Sequence, residues 1–340
     1  MAEPLTPPEW TTYPDLASRA LGGSVVTAND ELFAERENLI RPEAPIFNVT
    51  EFGHKGKVYD GWETRRRREP GHDWVIVRLA VPGIIHGVIV DTSWFTGNYP
   101  PFVSVEGAVV DGYPSPDALE EAEWLPLVER SDAVGDALNV YDVDDGRAWT
   151  HVRLSIYPDG GVARLRVHGE PVPDPRFMTG TIDLAALENG GRLVRCSDAF
   201  YSSPQNLIMP GRAHLMGHGW ENARRRDEYN DYALFKLAGE GVVRHVELDT
   251  SYFVGNAPGW MRLTACNSVE LDPGDDADWW VLVDRMRAQA DTRHRLLVED
   301  TRPVTHVRLD VYPDGGLARM RIWGELTVAA LDALDLLSDL

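Results

Sequence analysis

Cysteine is nearly absent, with Cys196 and Cys266 the only two in 340 residues. That excludes a disulfide-scaffolded fold and a four-thiolate zinc site, and it suits a reducing compartment. No stretch approaches the roughly 20 apolar residues that a helical membrane span needs. The start, Met1-Ala2-Glu3-Pro4, lacks a basic region followed by an apolar run, so a soluble cytoplasmic protein that does not engage membranes is expected. Positive charge is also scarce: 33 Lys+Arg face 54 Asp+Glu, a net charge of −21. Nucleic acid would meet a repelling field and is not an expected partner. Nor is there a GxxxxGKS/T loop, a GxGxxG after a strand, an HExxH or a GxSxG elbow, so nucleotide-binding, zinc-protease and serine-hydrolase readings fall away.

What is present is a duplication. Thr150 to Glu170 (THVRLSIYPDGGVARLRVHGE) recurs as Thr305 to Glu325 (THVRLDVYPDGGLARMRIWGE), identical at 15 of 21 positions. Upstream, Gly61 to Leu79 (GWETRRRREPGHDWVIVRL) answers Gly219 to Leu237 (GWENARRRDEYNDYALFKL), and VDTSWFTGNYP from Val90 answers LDTSYFVGNAP from Leu248. Order is preserved, and the copies begin near Asp15 and Asp183, each of about 155 to 165 residues, an ordinary domain length. Pro171-Val172-Pro173-Asp174-Pro175 reads as an extended linker. Two domains are therefore expected, residues 1–172 and 173–340.

Within each copy the apolar period is two. Val75, Val77 and Leu79 alternate with Ile76 and Arg78, and Ala233, Phe235 and Leu237 take the equivalent positions, the pattern of half-buried antiparallel strands. The run Tyr157-Pro158-Asp159-Gly160-Gly161 between two alternating segments predicts a β-hairpin closed by a type I turn, repeated at Tyr312 to Gly316. Many short strands and Gly/Pro-rich loops predict an all-β chain of two tandem β-sandwich jelly rolls. The exceptions are Asp117 to Glu123, one or two helical turns, and Thr327 to Leu340, where Leu331, Leu334 and Leu337 form one stripe.

The acidic chain carries one conspicuous basic run, Arg65-Arg66-Arg67-Arg68, answered by Arg224-Arg225-Arg226. Guanidinium forks match a carboxylate or phosphate, so a small anion is a natural ligand; pairing with the surplus acids is the competing explanation. Alternation lets only about half of the run converge on one ligand. Glu63 and Glu221, Asn98 and Asn256 are kept in both copies, whereas His72 becomes Asn230 and Arg65 becomes Ala223, so two equivalent pockets would differ. His72 beside Asp73 has the composition of a general acid–base pair near neutral pH. His214 and His218 stand four apart, but Gly211, Gly217 and Gly219 argue against the helix that would align them, and no third ligand is fixed by spacing. His151 and His306 read as satisfied edge histidines rather than ligands. No cofactor is evident, and no motif supports a divalent metal.

These motifs, GWETRRRR with GHDW, VDTSWFTGNYPPFVSVEG and THVRLSIYPDGGVARLRVHGE, all repeated, resemble the allantoicase family from about Asp15 to Glu325. The resemblance implies two jelly-roll repeats related to discoidin-like (galactose-binding-like) folds, assembly into a homo-oligomer, and conversion of allantoate and water to ureidoglycolate and urea. The second copy departs from the family pattern, reading Trp220-Glu221-Asn222-Ala223 and Asn230-Asp231-Tyr232, so the first is the better candidate for an intact site. Allantoate bears a carboxylate and two ureido groups, which Arg65, Arg66, Arg67 and Asn98 suit as receptors, with Glu221, Arg224, Arg225 and Asn256 as the second-copy set. Glu63, His72 and Asp73 are the candidates for proton transfer. A non-catalytic ligand-binding jelly roll and a hydrolase of a related ureido acid such as ureidoglycolate are the alternatives.

Overall fold

The computed structural model describes residues 7–48, 50–54 and 56–338. The chain divides into two compact units between Val172 and Pro173. In the first unit the strands are β1 (Ser24–Ala28), β2 (Phe52–Gly53), β3 (Gly56–Lys57), β4 (Trp62–Glu63), β5 (Asp73–Asp91), β6 (Phe102–Ala108), β7 (Leu125–Asp132), β8 (Leu138–Asp142), β9 (Ala148–Tyr157), β10 (Gly161–Val162) and β11 (Arg164–Pro171), with one short helix, α1 (Pro116–Glu120). The second contains β12 (Ile182–Asp183), β13 (Arg192–Cys196), β14 (Asp231–Asp249), β15 (Trp260–Cys266), β16 (Trp280–Arg287), β17 (Arg293–Leu297), β18 (Val304–Tyr312), β19 (Arg319–Leu326) and a closing helix, α2 (Val328–Ser338). Leu331 and Leu334 of the expected stripe are half-buried. The side chain of Leu337 and residues 339–340 lie outside the described residues.

All the ladders are antiparallel, and one 19-residue strand organises each unit. The first part of β5, Asp73 to Arg78, pairs with β9 and β1, while Gly83 to Asp91 pairs with β11 and β8. β14 divides its partners in the same way among β13, β18, β17 and β19. The ladder slips at the junction, between Arg78 and Gly83 and between Lys236 and Gly241. Such a break lets one strand turn from one sheet layer into the other. Gly83 is needed there because a Cβ would fall 2.5 Å from Leu16 Cδ1 and 2.7 Å from Glu170 O. This is the two-layered jelly roll that the alternation predicts. Val75, Val77, Val152, Leu154 and Ile156 fill the first core, and Ala233, Phe235, Val307 and Leu309 the second. Ile76 is buried as well, so β5 is covered on both faces over this stretch.

Three expectations are corrected. β9 and β11 do not form a hairpin with one another; both bond to β5, β9 across its junction and β11 only beyond it. The turn at Tyr157–Pro158 contains a cis peptide, as does Tyr312–Pro313, so it is not a type I turn. Turn residues mark where a strand ends, but the neighbour it then bonds is chosen by the whole sheet. His151 and His306 are not edge residues but fully buried, because β9 and β18 are paired on both sides. Each Nδ1 meets the hydroxyl of the preceding threonine, at 2.8 and 2.9 Å.

Candidate functional site: the arginine run and its counterpart

The run after β4 is anchored by backbone-directed bonds that both units share. Trp62 and Trp220 are fully buried, and each donates its indole N–H to a carbonyl, Asp30 O at 2.7 Å and Asp198 O at 2.9 Å. Thr64 and Asn222 tie the next residue to Gly160 and Gly315. The amides of Arg67 and Arg225 donate to Asp159 and Asp314, both at 2.8 Å. The chain after the tryptophan is thus pinned to the loop following β9 or β18, and its side chains are sorted into opposite directions.

In the first unit these side chains line a cleft of about 390 Å³ with Asn29, Asp30 and Asp73. Arg65 is committed to Asp30 by an Nε bond of 2.5 Å. Burial opposes ionisation of Asp30, yet the amides of Arg65 and Leu32 and the Arg65 guanidinium hold its carboxyl below the usual range. Arg67 Nη1 donates to Asp73 Oδ1 at 2.6 Å, and Asn29 reaches the same oxygen at 3.1 Å. Asp73 is 1% exposed. Arg66 and Arg68 are exposed and make no protein ion pair among the described residues. Two of the four guanidinium groups are therefore structural braces and two are free.

Glu63, on β4, accepts from Asn98 Nδ2 at 2.6 Å. Burial pushes its carboxyl up, against the lowering bond from Asn98. Such a carboxyl holds its proton closer to neutral pH than an exposed one, as a proton-transfer group requires. Neither Glu63 nor Asn98 belongs to the lining of the arginine cleft. His72 packs on Tyr157, ring centroids 4.6 Å apart. Nearby, Arg153 pairs with Glu106 at 2.7 Å and lies over Trp124. Burial first, then the Arg153 and Arg67 charges, push the His72 imidazole down against the pull of Asp73 and Glu106, so it is neutral at pH 7. The fold thus brings Arg65, Arg66, Arg67 and Asp73 into one cleft, joins Glu63 to Asn98, and directs the His72 ring to the β9 side.

The second unit repeats part of this. Asn256 donates to Glu221 at 2.8 Å, and Arg225 binds Asp231 at 2.6 Å and Asp227 at 2.8 Å. Arg224 is exposed and makes no ion pair among the described residues. At the Arg65 position Ala223 keeps only the backbone bond to Asp198, 2.8 Å. His214 and His218 lie 6.1 Å apart, centroid to centroid, in the loop before β14. Among the described residues no three His, Cys, Asp or Glu side chains gather as a metal set.

A family model, the allantoicase repeat, matches residues 14–172 and again 182–327. The chain belongs to the allantoicase family. It is 54% identical over 329 residues to a probable allantoicase of Nocardia farcinica, covering 96% of this chain and 98% of that one. An allantoicase of Dictyostelium discoideum is 40% identical, with 91% and 86% covered. The crystal structure of allantoicase from Saccharomyces cerevisiae superposes with a TM-score of 0.77 at 35% identity, covering 92% of both chains.

One constellation of this chain escapes a reading based on the arginine run. A cavity of about 490 Å³ in the second unit is lined by Asp183, Glu188, Arg212, Arg319, Arg321 and Trp323, among others. Its signal in the sequence is the Arg-x-Arg of the last strand in each copy, Arg164/Arg166 and Arg319/Arg321, with an aspartate opening each repeat. Nothing local joins those residues, which meet across about 140 positions.

Proposed function

We propose that this chain hydrolyses allantoate to ureidoglycolate and urea. The observation that carries the reading is the full-length match to allantoicases across both repeats. In the reaction the oxygen of water bonds to the central carbon, the C–N bond to one ureido group breaks, and the departing nitrogen takes a proton to leave as urea. We assign that proton transfer to Glu63, whose carboxyl is raised by burial and whose Oε1 is fixed by Asn98. Arg66, free of any protein carboxylate, is the receptor for the substrate carboxylate. Arg67 and Asp73 are positioning residues that hold the segment, and Arg65 holds Asp30.

General acid–base catalysis contributes about 100- to 10,000-fold, and orientation of the bound ureido groups supplies much of the remainder. The same reading carries a cytoplasmic homo-oligomer acting on a free small molecule without a cofactor. Incubation of the purified chain with allantoate tests it: urea release above a buffer control is expected, at a rate that a chelator leaves unchanged. A folded chain that leaves allantoate intact overturns the reading.

A further inference from the structure

The two units bury one arginine in the same frame, and only one of them closes a hydrogen-bonded carboxylate on it. Arg164 on β11 donates Nε to Glu43 O at 3.0 Å and Nη1 to Asp60 O at 3.0 Å and Ala163 O at 2.8 Å. Its Nη2 closes on the Asp60 carboxylate at 2.7 Å. Arg319 on β19 repeats the first three bonds, to Gly211 O at 3.2 Å, His218 O at 2.5 Å and Ala318 O at 2.7 Å. His218 stands where Asp60 would be. Nη2 of Arg319 makes no hydrogen bond among the described residues, although the residue is only 7% exposed.

A buried guanidinium lacking its carboxylate is costly unless something else supplies negative charge. Arg319 lines the 490 Å³ cavity, which falls in the size range of small-molecule sites. The acids nearby have other hydrogen-bond partners. Asp249 lines the cavity as well and its charge acts on Arg319, but it makes no hydrogen bond to Arg319 and its Oδ1 accepts from the amide and hydroxyl of Ser251 at 2.9 and 2.6 Å. Asp183 accepts from the amides of Ile322 at 2.9 Å and Ala185 at 3.2 Å and faces Arg321 at 3.4 Å. Glu247 pairs with Arg295 at 2.9 Å. Glu188 is the exception: it has no ion pair, and its Oε2 is buried without a hydrogen-bond partner. The cavity therefore holds an unmet donor and an unmet acceptor together, with the Trp323 ring as an apolar wall.

The first unit has closed the same place. There His168 replaces Trp323 and is covered by Trp10, ring centroids 5.6 Å apart. Trp10 lies so close to Gly87 that a Cβ there would fall 2.2 Å from its ring, and it donates to Asp142 at 2.6 Å. Ala20 replaces Glu188. Trp323 instead stacks on His245, at 5.9 Å and 17°.

We infer that the second-unit cavity binds a compact ureido acid, its carboxylate on the free edge of Arg319 and its N–H groups on Glu188. The carboxylate follows from the missing Asp60 equivalent; the choice of a ureido acid, rather than another acid bearing N–H groups, rests on the proposed activity. The probe is hydantoate, which has one carboxylate and one ureido group and so lacks the second ureido group of allantoate. Calorimetry on the full chain carrying Arg66→Ala, which weakens the first-unit site, is expected to show hydantoate binding. Adding Glu188→Leu or Arg319→Met is expected to raise Kd at least about tenfold, the scale of losing a charged hydrogen bond. Propionate should bind at least about tenfold more weakly than hydantoate.

Hydantoate affinity unchanged in folded Glu188→Leu overturns the site, and that variant decides the matter if Arg319→Met does not fold. Equal affinity for propionate and hydantoate overturns the ureido assignment. Urea release from allantoate without hydantoate binding in the second unit defeats this inference alone. Binding without urea release defeats the proposed activity and leaves the carboxylate site standing.

Discussion

The two units are built on one frame and differ in what completes it. Both bury a tryptophan after the same loop, clamp an Arg–Asp pair, Arg67–Asp73 or Arg225–Asp231, with 2.6 Å bonds, and join a glutamate to an asparagine. The first unit adds Asp60 to Arg164 and lays Trp10 over His168, whereas the second leaves Arg319 without a hydrogen-bonded carboxylate beside an open cavity. A duplicated chain thus provides its own control. Bonds found twice are what the fold requires, and a bond found once marks where one copy was released from that requirement.

The sharpest way to break this comparison is to make the same change in both copies. Glu63→Gln is expected to lower kcat about 100-fold or more, the scale of a lost proton-transfer group, while Glu221→Gln leaves it within about threefold. Steady-state urea release measures both, and equal losses would make the second pair a working site too. Next in size is stability. Arg164→Met strips the Asp60 carboxylate of its buried guanidinium, leaving the Ile46 amide at 3.0 Å and the exposed Arg41 at 3.4 Å to meet it, and should cost about 3–5 kcal/mol in urea denaturation. Arg319→Met loses bonds to backbone carbonyls but orphans no acid, and should cost about 1–3 kcal/mol. Equal costs would mean that Asp249 serves Arg319 as fully as Asp60 serves Arg164.

The histidine pair sharpens the comparison through pH. Burial pushes His151 down to about 4, with the Arg78 charge adding to the effect. The unfolded chain takes up a proton near pH 6.5 that the folded chain refuses, so stability is complete above that pH and falls as pH drops toward about 4. His151→Gln should flatten this limb of a Tm–pH profile more than His306→Gln does, because Leu271 O already meets His306 Nε2 at 3.2 Å, while His151 Nε2 is buried without a partner.

The smallest effect concerns Asp183, raised to about 6 chiefly by burial. A carboxyl raised in the folded state favours folding while protonated, and that advantage is lost as pH rises from about 4 through about 6. Asp183→Asn should therefore raise Tm modestly at pH 8 and leave it unchanged at pH 4, as calorimetric scans would show. A lower Tm at pH 8 would mean that the ion pair with Arg321 outweighs the cost of burial.

Much of this was legible along the chain. The repeat, the all-β class and the presence of helical structure near Asp117 and after Thr327 follow from identity at fixed spacing and from the apolar period. The free and committed members of the arginine run were not. Arg65 and Arg67 look the same as Arg66 and Arg68 until Asp30 and Asp73 arrive from other segments. His72 and Asp73 are neighbours in sequence, yet one ring lies on Tyr157 just before β5 begins and one carboxylate is buried against Arg67.

By itself the sequence determined the duplication, the strand-rich class and the family, because these depend on residue identity and on a period of two, both readable locally. Tertiary structure alone decided that β9 and β11 share β5 rather than each other, which arginines keep a free edge, and which unit retains an open cavity. Those outcomes turn on charges brought together from distant positions, where a bond exists only if both partners arrive in reach, and no local pattern encodes that meeting.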